Sequence, residues 1–568
     1  MNIISEFKKI VNTYPEKTVL VSESEDSLSY RNLDRYSNFI ANKIIEQTWN
    51  EQEVEVIGVC INRSFNLIAA MLGALKAGMA YLPLDSAFPK ERLKLMLDKA
   101  EARTIICTED TANIFDERYN KLLLSDQMHF IEEVHIQNKP SPLACILYTS
   151  GSTGTPNGVM ITHESILNTL QWAIKFYELT DGDVSLQVPS CSFTSSLQDI
   201  YSTLLSGGKL VMINEKRLLN TRYLKMLTDK FKVTHFDMVP SLYKEYLNTV
   251  KGESTLRFVL LAGEPLLLKL VSKHFNVLPN VRLINEYGMA ETSSCCTVYE
   301  VFSDCEKVCI GKFIDNMSYM LHDKDSDGTG ELYITGEGLA AGYFNDSSFT
   351  DEKFVNIDGT RYLKTGDYVR EAADGNIIYI GRKDNQIKVN GKRINLNEID
   401  YALQKDPNTI DCFSAGLLFD GKQIIVTFIK TFQKNTQYFF DLLKKALPNY
   451  YIPNFIKIID EFEYLPNKKI NVKGMKDMFK DELEKEVMVN DVIYISIIKV
   501  ISNISKGLLV KPDINEDIRK QGIDSISFIQ LLAALEEDLN FEFGYDDIEN
   551  MGVVTVKSLY NYVKSLGK

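Results

Sequence analysis

The chain has 568 residues, 45% hydrophobic and 25% charged, the balance of an ordinary soluble globular protein. That length exceeds what one core usually serves, so about three or four domains are expected. The net charge of −14, with no basic cluster against it, excludes a nonspecific nucleic-acid binder. Nine cysteines lie scattered without metal-ligand spacing and read as reduced cytosolic thiols.

In chain order, Met1 to Lys17 carries charges among its apolar residues, as an amphipathic helix does, and has no apolar core of a signal peptide. The longest apolar stretch, Phe65 to Leu75, contains Asn66 and is too short to span a bilayer, so a cytoplasmic protein without membrane contact is expected. Short β-rich runs follow at Val54–Cys60, Thr104–Cys107, Ala144–Tyr148, Lys209–Ile213, His235–Val239, Phe258–Ala262 and Val281–Ile284. Helical patterns such as Ser64–Lys76 and Arg217–Phe231 alternate with them, which predicts parallel sheets covered by helices.

Near Gly381 the texture changes. A hairpin-like run, Asp384 to Arg393, leads into a smaller α+β region ending near Lys473. A charged connector, Met475 to Glu486, precedes three helical patterns at Val492–Ser505, Ser525–Leu539 and Val556–Leu566. The expected architecture is a large α/β body of packed sheets and helices (1–383), a small α+β lid (384–480) and an all-α bundle (488–568).

The most informative run is Tyr148 to Gly158. Thr149, Ser150, Gly151, Ser152, Thr153 and Gly154 combine glycines that let backbone approach a polyanion with hydroxyls that surround phosphate oxygens. The glycine–lysine spacing of a Walker loop is absent. With Leu75 to Asp85, this run resembles the adenylate-forming superfamily. More narrowly, the chain resembles an adenylation domain of nonribosomal peptide synthetases fused to a carrier (thiolation) domain, over nearly its whole length.

The resemblance implies roles. In Asn285-Glu286-Tyr287-Gly288-Met289-Ala290-Glu291-Thr292, Tyr287 would stack on adenine, Asn285 would bond its edge and Glu291 would hold Mg2+ against the phosphates. Asp367, in Tyr362 to Asp367, would accept the ribose hydroxyls; Arg382 would lie near ribose or phosphate, with Asp384 as the lid's hinge. The family's catalytic lysine maps to Lys469 in Pro466-Asn467-Lys468-Lys469, where Lys468 replaces a glycine and could take over the role. Gly391 and Lys388 lie on the segment that, in the family, turns toward the active site once the lid rotates. Gly522-Ile523-Asp524-Ser525-Ile526 is similar to a 4'-phosphopantetheine site, with Ser525 bearing the arm that takes the acyl group as a thioester.

Three departures stand out. Asn157 replaces the lysine that usually follows the loop proline, removing a charge from the pyrophosphate site. Thr194, in Phe193 to Asp199, stands where the family has the Asp that grips an α-ammonium. An uncharged hydroxyl cannot neutralise a buried ammonium, so a standard α-amino acid in the usual pose is not expected. The remaining pocket equivalents are Ser195, Gln198, Asp237, Leu260, Ala262, Glu286, Ser294 and Cys295. The two acids among them suggest a substrate whose positive group lies away from the α-carbon, or else pair with protein cations.

The expected activity is ATP- and Mg2+-dependent activation of a small carboxylic acid as acyl-AMP, then loading of Ser525. A phosphopantetheinyl transferase must act first. Without condensation, reductase or thioesterase motifs, a condensation or acyltransfer enzyme on another protein is expected to follow. Two other readings stand beside it: an acyl-CoA or acyl-ACP ligase with a separate thiol, and a non-catalytic carrier scaffold, suggested by Asn157, Lys468 and Thr194.

Overall fold

The structure is a computed structural model. It describes all residues except 1, 49–55, 126, 135–140, 150–155, 253, 383–385, 390–391, 420–421, 464–469, 490, 506–513, 515, 522, 524, 540–553 and 566–568. Two compact units divide at Asp460 and Glu461.

In the first unit, a six-stranded sheet runs in the order Asn120–Leu123, Thr104–Cys107, Val56–Cys60, Ala80–Pro83, Leu143–Thr149 and Asn157–Thr162, parallel until the last antiparallel pair. Val56–Cys60 and Thr104–Cys107 are buried at every position, which is why they read as continuous apolar runs. The helix between Val56–Cys60 and Ala80–Pro83, Phe65–Lys76, is also buried throughout. It can bury Lys76 only because the ammonium donates to Asp34 Oδ1 and Asn38 Oδ1, each at 2.7 Å.

A second sheet orders Asp237–Met238, Phe258–Ala262, Arg282–Met289, Ser294–Val301 and Lys312–Phe313. A third joins Ser27–Ser29, Thr18–Ser22, Lys209–Met212 and Val184–Leu186. An antiparallel sheet follows, with Thr360–Glu371 between Thr329–Gly336 and Phe354–Ile357 and also paired with Ile377–Arg382.

The predicted helix Arg217–Phe231 is corrected to a short 3-10 turn, Glu215–Arg217, and a helix, Thr221–Phe231. The break is chemical: Asn220 is extended and its side chain caps the new helix by accepting from the Tyr223 amide. The run His235–Val239 contracts to a two-residue strand because Pro240 begins the helix Pro240–Leu247.

The α+β part contains an antiparallel hairpin, Gln386–Val389 with Lys392–Asn395, and a three-stranded sheet, Thr409–Phe419, Lys422–Thr431 and Phe455–Ile458. Helices Leu396–Gln404 and Thr436–Ala446 cover it around Ile399, Leu403, Phe439 and Leu443.

The second unit is helical: Val472–Val489, Val492–Ile504, Ser525–Leu539 and Val556–Ser565, with a 3-10 turn at Ile518–Gln521. Ile497, Ile501, Leu531, Leu535, Leu559 and Val563 form its core. Lys473, expected near the end of the α+β region, lies inside the first of these helices. No described helix is long and apolar enough to cross a membrane.

Candidate active site

Tyr287 lies near the end of strand Arg282–Met289 and Asp367 on strand Thr360–Glu371; side chains from the two strands meet. The Tyr287 hydroxyl donates to Asp367 Oδ2, and Arg382 Nη1 donates to Asp367 Oδ1 at 2.8 Å. Register produces the second contact, since Asp367 and Arg382 are direct cross-strand partners. Tyr379 adds a weaker bond to the same oxygen at 3.4 Å. Burial, then the Asp367 charge, push the Tyr287 hydroxyl far above its ordinary range, so it stays a donor.

Gly288 lets this strand turn. A Cβ there would stand 1.8 Å from the Ser294 carbonyl oxygen. The chain can then double back into Ser294–Val301 and hold Glu291 inside the turn. Glu291 is buried and accepts from the Tyr343 hydroxyl at 2.7 Å. Among the described residues no group of three metal-ligating side chains stands together. A single carboxylate nevertheless suits Mg2+, which takes one or two protein carboxylates and substrate phosphate oxygens. Asn285 donates to the Cys309 carbonyl at 2.8 Å, so its amide is engaged within the fold.

Thr149 ends its strand at the edge of the phosphate-type loop. Ser150, Gly151, Ser152, Thr153 and Gly154 lie outside the described residues, as do Asp384, Lys468, Lys469 and Gly391. On the far side of the loop, Lys99 Nζ donates to the Pro156 carbonyl at 3.1 Å. A cation therefore stands beside Asn157, which brings none. Lys99 is far away in sequence and no motif announced it.

The pocket equivalents gather beside this site. Ser195, Gln198, Asp237 and Leu260 line a narrow cleft together with Tyr177, Asp199, His235 and Phe258. Asp237 pairs in register with Leu260, and Ala262 with Glu286. Gln198 bridges the cleft wall: its amide donates to Glu286 Oε1 at 2.8 Å while its carbonyl accepts from Ser294 at 3.1 Å. The Tyr177 hydroxyl also donates to Glu286 Oε1. Cys295 is buried, its thiol donating to the Thr297 carbonyl at 3.1 Å. Thr194 is the half-buried first residue of helix Thr194–Ser206.

Burial raises the Asp237 and Glu286 carboxyls, with their mutual repulsion adding at Asp237. Asp199, Tyr177 and His235 were not singled out from sequence. One signal was available for the first: 195, 198, 199 and 202 follow the spacing of a single helix face, and all four line the cleft.

The hairpin after Arg382 stands over this region. Lys388 Nζ lies 5.5 Å from the Tyr287 ring centre, and Lys392 Nζ lies 5.4 Å from Phe193 and 4.3 Å from Tyr450. In the helical unit Ser525 is the first residue of a 15-residue helix.

Residues 7–344 match the model of the AMP-binding enzyme family and residues 500–563 that of the phosphopantetheine attachment site. The chain belongs to the AMP-binding enzymes, and it joins an adenylation domain to a carrier domain as nonribosomal peptide synthetases do. It is 37% identical to bacitracin synthase 3 of Bacillus licheniformis, over 83% of this chain but 8% of that protein. It is 27% identical to tyrocidine synthase 1 of Brevibacillus parabrevis, over 98% of this chain and 52% of that one. The chain thus spans about half the length, or far less, of these relatives. Its fold is shared with the o-succinylbenzoate CoA synthetase of Bacillus subtilis, at a TM-score of 0.75 and 17% identity over 83% of this chain and 98% of that one. An artificially fused adenylation–PCP di-domain from Klebsiella oxytoca gives 0.69 at 22% identity, covering 80% and 93%.

Proposed function

We propose that this protein uses ATP to activate a small carboxylic acid as an acyl adenylate and loads the acyl group onto its own carrier unit. The observation that carries the reading is the meeting of Tyr287, Asp367 and Arg382 beside Glu291 and the cleft, in a chain that also has a carrier domain.

The acid enters the cleft between helix Thr194–Ser206 and strand Phe258–Ala262. Its carboxylate oxygen attacks the α-phosphorus of ATP, and pyrophosphate leaves. Tyr287 stacks on the adenine, Asp367 receives the ribose hydroxyls, and the loop from Thr149 with Lys99 faces the phosphates. Lys469, or its neighbour Lys468, supplies the compact cation that stabilises charge building on the α-phosphate. Glu291 would hold Mg2+, which neutralises the leaving pyrophosphate. A phosphopantetheine arm on Ser525 supplies the thiol that takes the acyl group as a thioester. Residues 1–383, 384–480 and 488–568 divide this work as body, lid and carrier, with Asp384 as the hinge.

The acid we propose carries its positive charge away from the α-carbon: a β- or ω-amino acid, a guanidino acid or a betaine-like acid. Uncharged Thr194 and the buried carboxylates Asp237, Glu286 and Asp199 support this class. The partners are a phosphopantetheinyl transferase, which installs the arm, and a condensation or acyltransfer enzyme that consumes the thioester. The setting is the cytoplasm, with which nine free cysteines agree.

The test is the intact mass of the holo-protein after incubation with ATP, Mg2+ and pooled acids. A gain of one acyl group is expected, absent in Ser525→Ala, which keeps ATP–pyrophosphate exchange. Exchange without loading would instead support a ligase with a separate thiol. No exchange with any acid would support a scaffold.

A further inference from the structure

Three buried carboxylates, two lining the cleft and Glu286 behind it, are not equivalent. Glu286 receives donors from Tyr177 and Gln198 on Oε1. Asp237 has Ser195 beside it as a donor. Asp199, only 6% exposed, accepts from the Ser185 hydroxyl on Oδ1, while its buried Oδ2 meets no donor among the described residues.

Nor, among the described residues, does a protein cation come to meet that oxygen. Arg63, whose charge reaches Asp199, commits its terminal nitrogens to the Gln187 and Val188 carbonyls and lies 3.5 Å from Glu215. His235, across the cleft, is stacked on Phe258 and kept neutral by burial, its pKa held down to about 4. Besides these groups and Ser202, the cleft wall is apolar, from Ala173, Leu179, Phe258 and Leu260. A buried acceptor without a donor, at a ligand cleft, is completed by a ligand that brings the donor.

We propose that Asp199 is the specificity-determining residue of the cleft, its Oδ2 accepting a hydrogen bond from a nitrogen cation at the far end of the acyl substrate. The inference rests on the activation reading above, and it moves the discriminating role from Asp237 and Glu286 to a residue one helical turn beyond Ser195. The substrate is then a short ω-amino or ω-guanidino acid whose methylenes lie against Leu260 and Phe258. A neutral acid of the same length leaves the carboxylate unpaired and is rejected.

The experiment compares ATP–pyrophosphate exchange of the full chain with 4-aminobutanoate, 4-guanidinobutanoate and neutral pentanoate. The wild type is expected to favour one of the cations over pentanoate by at least about 100-fold in kcat/KM. Asp199→Asn should bring that ratio within about tenfold, mostly through KM. An unchanged ratio in Asp199→Asn overturns the inference. Equal use of pentanoate by the wild type does so as well, and needs no variant to fold. If no acid supports exchange, the activation reading fails and melting decides the Asp199 question. A rise in Tm with 4-guanidinobutanoate that is lost in Asp199→Asn sustains the site; equal rises, or none, overturn it.

Discussion

Replacing Arg92 by Met should uncouple loading from activation. Arg92 stands on helix Lys90–Lys99 and reaches Glu398 on helix Leu396–Gln404 at 3.0 Å, with side-chain exposures of 7% and 0%. The Tyr451 hydroxyl donates to the other Glu398 oxygen at 2.7 Å, and the guanidinium lies 5.3 Å from the Tyr451 ring centre. Met keeps much of the stem's packing but takes the guanidinium away from buried Glu398. Breaking such a pair costs about 3–5 kcal/mol, roughly a 10²- to 4 × 10³-fold loss of the arrangement that contains it. That arrangement is the one with Lys388 and Lys392 of the hairpin over Tyr287 and Phe193. We therefore expect single-turnover acylation of Ser525 to fall at least about tenfold, while ATP–pyrophosphate exchange stays within about threefold. Unchanged loading in a folded Arg92→Met protein would refute the reasoning, as would equal loss of loading and exchange.

Three further outcomes follow from packing and charge. Gly288→Ala forces a Cβ to within 1.8 Å of the Ser294 carbonyl oxygen and should cost about 1–3 kcal/mol or more, read as a lower Tm together with weaker ATP binding beside Tyr287. Lys76→Met strips Asp34 of its buried partner and leaves it Lys8 alone, so urea unfolding should show a loss of about 3 kcal/mol; an unchanged midpoint would mean that Lys8 suffices. Burial raises the Asp199 carboxyl from 3.8 to about 7, against weaker lowering by Ser185 and Arg63. Between those values the folded protein holds a proton that the unfolded chain has shed, so this group's stabilisation is lost as pH rises from about 4 to 7, by an amount on the order of 4 kcal/mol. Asp199→Asn should thus lose less stability than the wild type between pH 5 and pH 8, with Asp237 and Glu286 still contributing; identical Tm changes would count against the shift.

The phosphate-type loop, the Tyr287 and Glu291 run, Asp367 and Arg382 could be singled out by eye because each belongs to a short contiguous segment. A nucleotide is gripped by backbone amides, glycines and one or two side chains at fixed offsets, and such offsets survive in a one-dimensional string. Helix Thr194–Ser206 shows the limit. Its spacing places 195, 198, 199 and 202 on one face, but spacing does not say that the face borders a cleft, or that Asp199 Oδ2 lacks a donor there. The broken helix at Leu218–Asn220 was missed for a local reason, since one extended Asn competes well with continued helix.

By itself the sequence determined the alternation of buried strands and helices, the all-helical tail and the short motifs shared with the family, because periodicity and contiguous motifs are local properties. Only tertiary structure decided what meets what: Lys99 beside Pro156, Arg92 against Glu398, and Tyr177 with Gln198 on Glu286. These contacts join residues tens to hundreds of positions apart. Burial then sets their energetics, because a carboxylate without its donor or cation is costly only once water has been removed from it.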